Sequence, residues 1–239
     1  MIPMREMLIR TMIMGKIRFT AGKIEKKLYR TKIADAPFAF LWHKFVIPIF
    51  NSREKAMTAP ATGVLLIADP FLKDPNFMRT VVFLTEHRDD GTIGFVLNRK
   101  YENTLDELLP EVEGHKLPVY YGGPVQMNTI HFLHRYPTEV AGGVEVMKGI
   151  YWGGDFDAVI ALINSGKADP EKIRFYIGYS GWSPGQLDTE MEEKTWLTVE
   201  AARKLVFHPN AEEIWRDSLK HLGGEYEMMI NFPIDPQLN

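Results

Sequence analysis

The sequence contains no cysteine. Disulfides, thiolate-bound metals and cysteine nucleophiles are therefore excluded. A cysteine-free chain suits the reducing cytosol, and a cytoplasmic protein is expected. The apolar stretch FAFLWHKFVIPIF at 38–50 carries His43 and Lys44. It is shorter than the roughly 20 apolar residues that a membrane helix needs. No clean apolar stretch precedes a small-residue cleavage site, so no secretory leader is expected. Internal repeats, low-complexity tracts, zinc-finger patterns and helix-turn-helix patterns are missing too. INSGKADP contains a Gly-Lys pair, but it lacks the upstream glycine of a phosphate loop and follows a helix end. GGVEVMKG has no dinucleotide-binding spacing. No cofactor and no metal are expected.

What is present is ordinary globular material. The 239 residues are 45% hydrophobic and 25% charged, enough for one domain with a sizeable core. The net charge of −3 hides a division. Residues 1–56 hold twelve Lys/Arg and four Asp/Glu, a net of +8. Residues 57–239 hold sixteen and twenty-seven, a net of −11. The composition shifts at the same place, which puts a boundary near Met57. In the basic part, Met4, Met7, Leu8 and Met12 recur at helical spacing among arginines and lysines. Three readings stay open for it: a loosely ordered extension or sequence upstream of a true start at Met57, a membrane-surface or nucleic-acid arm, and a targeting peptide. Its scarcity of serine speaks against the last.

The acidic part reads as strands with a few helices. Strands are expected at 63–69, 79–87, 92–100, in LPVYYGGP and TIHFLHR, at 144–154 and at 173–182. RDDG joins the second and third as a hairpin with a four-residue loop. Alternation places Val82, Leu84, Ile93, Phe95 and Leu97 on one hairpin face, and Arg79, His87 and Asn98 on the other. Thr104 and Glu107 have capping-box spacing for a short helix. Asp155 starts a second helix that stops at Gly166. A helix is also expected at 184–192. NAEEIWRDSLKHLGG starts at a cap of Asn210 and Glu213, lines Ile214, Trp215, Leu219 and Leu222 on one side, and ends at Gly223. With no regular strand–helix alternation, this is an α+β fold with a mainly antiparallel sheet.

RFYIGYSGWSPGQLDTE at 174–190 raises the question of a serine nucleophile. The nucleophile elbow is Gly-x-Ser-x-Gly. Gly178 and Ser180 fit, but Trp182 stands where the second glycine is required. The structural reading is preferred: Gly178, Gly181 and Gly185 supply positive φ or close backbone approach, with a sharp turn at Gly181. No catalytic residue is assigned. His131 and His134 lie three apart on a strand and so face opposite sides, which disfavours a shared metal. Glu86 and His87 are also strand neighbours, and are read as anchors of the hairpin turn.

GVLLIADPFLKDPNFMRTVVFLTEH, GTIGFVLNR, YYGGPV, IYWGGD, RFYIGYSGWSPGQLDTE and the final DPQLN, in this order from Gly63 to Asn239, together resemble the AlgH/YqgE-like family. The resemblance implies a bacterial α+β protein whose sheet folds into a pseudo-barrel flanked by helices. One branch bears a name that suggests regulation of alginate transcription. The resemblance supplies no catalytic residues. The expected protein is a non-catalytic regulatory or interaction protein. The alternative is a small-molecule binder or enzyme with an aromatic-walled pocket around Arg174, Tyr179 and Trp182, with Arg79, His87 and Asn98 as further candidates. The partner is a protein or a small molecule. Nucleic acid is disfavoured for a domain of net −11, and only residues 1–56 could touch a membrane surface.

A chain that begins at Met57 is expected to be soluble and to melt cooperatively in a denaturant titration. A molten or insoluble product would show that the N-terminal segment completes the core.

Overall fold

The computed structural model describes residues 57–112 and 114–232. The readings made above for residues 1–56, and for the extended tail after Phe232, fall outside these residues. Among the described residues ten strands form one sheet. They are β1 (Val64–Ala68), β2 (Val81–Arg88), β3 (Gly91–Val96), β4 (Lys100–Thr104), β5 (Pro118–Tyr121), β6 (Val125–His134), β7 (Val144–Met147), β8 (Ile150–Trp152), β9 (Ile173–Trp182) and β10 (Trp196–Glu200). The main path runs β10-β1-β2-β3-β9-β6-β8-β7, and β5 bridges β4 and β9 off this path. β5 and β9 run parallel; the other pairs are antiparallel. β7, at one end of the path, reaches back toward β1. A Cβ on Gly63 would lie 3.2 Å from the Val146 carbonyl oxygen. The sheet is thus a curled half-barrel, and the fold is α+β.

Two details of the β2–β3 hairpin differ from the sequence reading. Arg88 pairs with Gly91, so the β2–β3 loop is Asp89-Asp90 rather than four residues. Val82 pairs with Val96 and Phe83 with Phe95. Val82 and Leu84 therefore face the side opposite Phe95 and Leu97. Alternation could not reveal this, because these strands are buried on both faces and nearly every position is apolar. Thr85 is the extra residue of a bulge, since Leu84 pairs with Gly94 and Glu86 with Ile93.

The helices divide between the two faces of the sheet. Inside the curl lie α4 (Arg203–Val206) and α5 (Ile214–Leu222). Their Leu205, Val206, Ile214, Trp215, Leu219 and Leu222 pack on Leu65, Phe83, Phe95, Tyr120 and Tyr176. Burying Ile214, Leu219 and Leu222 contributes about 1.5–3 kcal/mol each. The Trp215 indole also donates to the Ala68 carbonyl at 2.9 Å, fixing α5 on β1. α1 (Leu105–Leu108) and α2 (Phe156–Asn164) cover the outer face near β5, β6 and β9. α3 (Gln186–Glu192) covers it near β1, β2 and β3. A last helix, α6, spans Tyr226–Met229.

The caps follow local chemistry. Glu107 accepts from the Thr104 N–H at 3.0 Å, and Asp155 accepts from the Ala158 N–H at 3.1 Å. Asn210 caps a 3₁₀ turn at Ala211–Glu213 that leads into α5, so Glu213 belongs to the turn and makes no cap of its own.

The two halves of the sheet join at three glycines. β3 pairs with the C-terminal part of β9 through Gly94↔Ser180, and β5 with its N-terminal part through Tyr121↔Ile177. Gly122 sits where one partner hands over to the other. Its N–H donates to the Ile177 carbonyl, and its carbonyl accepts from the Val96 N–H, each at 2.9 Å. A Cβ at Gly122 would lie 2.3 Å from the Gly178 carbonyl oxygen. One at Gly123 would meet the Tyr179 backbone at 2.3 Å, and one at Gly178 would meet the Gly123 carbonyl at 2.6 Å. Gly178 also has φ +63°. It stands opposite a register shift between Val125 and Ile130 of β6. Gly181 is extended strand rather than a turn, which corrects the expectation above. After the kink at Gly178 the chain runs straight from Tyr179 to Trp182 and turns only at Gly185, φ +74°.

Gly178→Ala is expected to cost about 3 kcal/mol or more, because strain at positive φ adds to the clash with two carbonyls. Gly166→Ala, at φ +70° with open space around it, should cost about 1 kcal/mol. Gly181→Ala meets mainly the movable Tyr179 ring at 3.1 Å and should cost less than Gly178→Ala. Urea melts of the three variants check this order.

Candidate functional site

Arg174 and Trp182 both lie on β9, yet the structure does not bring them together. Arg174 points into the curl and is 5% exposed. Its Nη1 donates to the Val206 carbonyl at 3.1 Å and its Nη2 to the His208 carbonyl at 2.6 Å. The guanidinium also stacks over the Tyr120 ring, 4.5 Å from the centroid. Below it, burial pushes the Tyr176 hydroxyl far above the usual tyrosine range, so it stays protonated. Trp182 faces the outer side. Its indole donates to Glu190 Oε2 at 2.8 Å, and the Trp196 indole donates to the same oxygen at 2.8 Å. Phe77 packs against both rings.

Tyr179 shares the inner face with Arg174 but stands in a different group. Its ring meets His131 edge-on at 5.8 Å, and His131 also lies against Phe95 and Trp152. Thr129 Oγ1 is 3.0 Å from His131 Nε2. Burial holds His131 below the ordinary histidine range, so the neutral ring is favoured. His134 faces the outer side. Its Nε2 is 2.9 Å from the Gly153 carbonyl oxygen, and its Nδ1 accepts from the Tyr136 N–H. Burial lowers its pKa too, against the opposing pull of the Gly153 bond. The two histidines thus sit on opposite faces and share no ligand.

The remaining candidates hold the backbone. Asn98 accepts from the Val81 N–H at 2.9 Å and donates to the Arg79 carbonyl at 2.8 Å. Arg79 has φ +54°, donates to the Phe232 carbonyl and stacks over Trp215 at 4.9 Å. His87 lies at the far end of β2, about 20 Å away at roughly 3.3 Å per residue. Its Nδ1 is 2.8 Å from Thr92 Oγ1 across the hairpin, and Glu86 pairs with Arg88 at 3.1 Å. A shallow cleft of about 280 Å³ opens there, lined by His87, Arg88, Thr92, Ser183 and Asp188. Ser180 is fully buried and donates to the Gly122 carbonyl at 3.0 Å.

A larger cleft, about 540 Å³, lies between α4 and α5. Lys204, His208, Asp217, Lys220 and His221 line it, with Leu205 and Pro209. Sequence reasoning missed it. Asp217, Lys220 and His221 show helical spacing, but Lys204 and His208 reach them only through the fold. Asp217 Oδ1 accepts from Lys220 at 2.8 Å, and Oδ2 lies 3.0 Å from His208 Nε2. Lys220 first and His208 second hold the Asp217 carboxyl below the usual range, and Asp217 raises Lys220 in turn. His208 Nδ1 lies 2.6 Å from the Asn210 carbonyl oxygen. Among the described residues no three His, Asp or Glu side chains gather as a metal site.

A half-barrel sheet with α4 and α5 inside and α1, α2 and α3 outside defines the class. The sequence model of the AlgH-like family, DUF179, matches residues 65–227. A UPF0301 protein of Chlorobium limicola is 42% identical over 177 residues, covering 74% of this chain and 95% of that protein. A UPF0301 protein of Cytophaga hutchinsonii is 37% identical over 74% of this chain and 98% of its own length. The solution structure of the AlgH protein from Pseudomonas aeruginosa is 29% identical, with a TM-score of 0.59 over 75% of this chain and 98% of that one. The chain belongs to the AlgH-like family.

The two depressed histidines make stability depend on pH. The unfolded chain takes up protons below about pH 6.5, where the folded histidines resist them. Stability should therefore be level above that pH and fall as pH drops from 6.5 toward 5. His131→Phe should reduce the fall, as read by urea midpoints across this range.

Proposed function

We propose that this AlgH-like chain is a non-catalytic regulatory or interaction protein that works in the cytoplasm. One observation carries the reading: the candidate polar side chains are spent on the protein's own framework. Arg174 holds two carbonyls, Ser180 holds one, Asn98 ties two backbone groups, and Glu190 bridges two indoles. A catalytic centre needs an acid, base or nucleophile within reach of one reacting atom. These groups instead lie on both faces of the sheet and aim at backbone or, for Glu190, at two indoles. Among the described residues, no helix is long and apolar enough to cross a membrane. The excess of acidic residues over basic ones in 57–239 favours a protein or small-molecule partner over a polyanion.

The pocket reading loses its basis in the Arg174, Tyr179 and Trp182 set, since Trp182 faces away from the other two. Ligand binding is better served by the α4–α5 cleft.

Native mass spectrometry of freshly purified protein, followed by incubation of the co-purifying species with fresh protein, tests the proposal. The species should be returned chemically unchanged. Conversion of it, or a fluorophosphonate adduct that Ser180→Ala abolishes, would overturn the non-catalytic reading.

A further inference from the structure

We infer that the cleft between α4 and α5 is an anion site, taking the phosphate or carboxylate group of a small ligand. Its lining is cationic within an acidic domain. Two lysines, Lys204 and Lys220, line the cleft with one carboxylate, Asp217, and with the imidazoles of His208 and His221. Both Asp217 oxygens are already engaged, one by Lys220 and one by His208. The acid therefore orders Lys220 and His208, and Lys220 offsets its charge, which leaves Lys204 as the excess cation of the lining. Lys220 keeps further N–H donors, because an ammonium carries three.

A plainer account covers part of this. Cations in a last helical turn offset the roughly half negative charge of a helix C-terminus. That explains Lys220 and His221 on α5. It does not single out Lys204, which lies in the one-turn α4 and so in its first turn as much as its last, and which makes no hydrogen bond or ion pair among the described residues. Nor does it explain Arg174. This buried guanidinium bonds carbonyl oxygens and lies against Tyr120 and Tyr176, with no carboxylate hydrogen-bonded to it. It binds the Val206 and His208 carbonyls, so its charge sits directly behind the wall of the cleft. A desolvated charge acts over a longer distance than an exposed one. Glu213 and Arg216 flank Lys220 outside the cleft and offset each other.

The site is open to solvent, so millimolar affinity is the expected scale. A single phosphate held by two lysines has few contacts and meets competition from water and salt.

The inference deepens the binding role proposed above and rests on that role for its biological sense alone. The full chain is titrated with inorganic phosphate, pyrophosphate and acetate at constant ionic strength. Histidine side-chain resonances report binding, and ³¹P spectra report the fate of pyrophosphate. Saturable shifts of His208 and His221 are expected. Phosphates binding more tightly than acetate would mark a phosphate site, and the reverse a carboxylate site. The double variant Lys204→Gln/Lys220→Gln should weaken binding at least tenfold, while Lys167→Gln should leave it unchanged. Lys204 and Lys220 are both exposed, and a cooperative melt of the double variant shows that it folds. Linear, unsaturating shifts, or equal shifts in the double variant, would overturn the site and leave the non-catalytic role standing. Saturable binding with hydrolysis of pyrophosphate would keep the site and overturn the role.

Discussion

The contact on which the rest of the molecule depends is the crossing of Gly122 and Gly123 over Gly178. β9 must pair with β3 along its second half and with β5 along its first. Two strands can share one edge only if the chain leaving β5 passes within backbone distance of β9. At separations of 2.3–2.6 Å from a would-be Cβ to backbone atoms, only hydrogen fits. The crossing leaves its backbone groups satisfied. Gly122 donates to Ile177 and accepts from both Val96 and Ser180. This is why Ser180 is a serine in a buried place: its hydroxyl serves a carbonyl that already bridges two strands.

The crossing also sets the curl. The register shift of β6 opposite Gly178 adds twist, as bulges do, and turns β8 and β7 back toward β1. Curling creates an inner face too narrow for a third sheet layer but wide enough for α4 and α5. Arg174 then locks these helices to the sheet through Val206 and His208. A buried charge with no carboxylate partner is weak evidence for added stability, since its desolvation cost is high. What it does provide is a single register for the α4–α5 connection. An apolar residue there could slide, whereas a guanidinium fork meets two carbonyls in one arrangement.

The sheet was largely legible because strand residues are β-branched or aromatic and are bounded by glycine and proline. β4 and β10 were not read. β4 is KYENT, polar and short; β10 is WLTVE, an edge strand with no turn signal before it. The hairpin register misled because both faces are buried, so apolar residues carry no directional mark. The glycines were legible as structural, but which one turns was not. Gly178 and Gly181 look alike in sequence, and only the β6 register shift distinguishes them. Candidate residues fared similarly. Arg174 stood out as a charge in an apolar strand, yet its partners come 32 and 34 residues later. No local pattern announces a carbonyl as a partner.

The same limit explains the cleft. A motif is visible when its members sit on one element, as Asp217, Lys220 and His221 do. Lys204 and His208 join them through the α4–α5 turn, whose path Arg174 fixes from beneath. The path that brings Lys204 to the cleft is therefore set by a buried residue that does not line it. Structure and binding are linked here through one side chain. Arg174 spends its hydrogen bonds on backbone, which disqualifies it as a ligand-contacting residue, while its charge stays uncompensated by any carboxylate hydrogen-bonded to it. A residue chosen only to hold α4 against the sheet could bond carbonyls as a neutral amide and avoid the cost of burying a charge. The retained charge is what a wall behind an anion site requires.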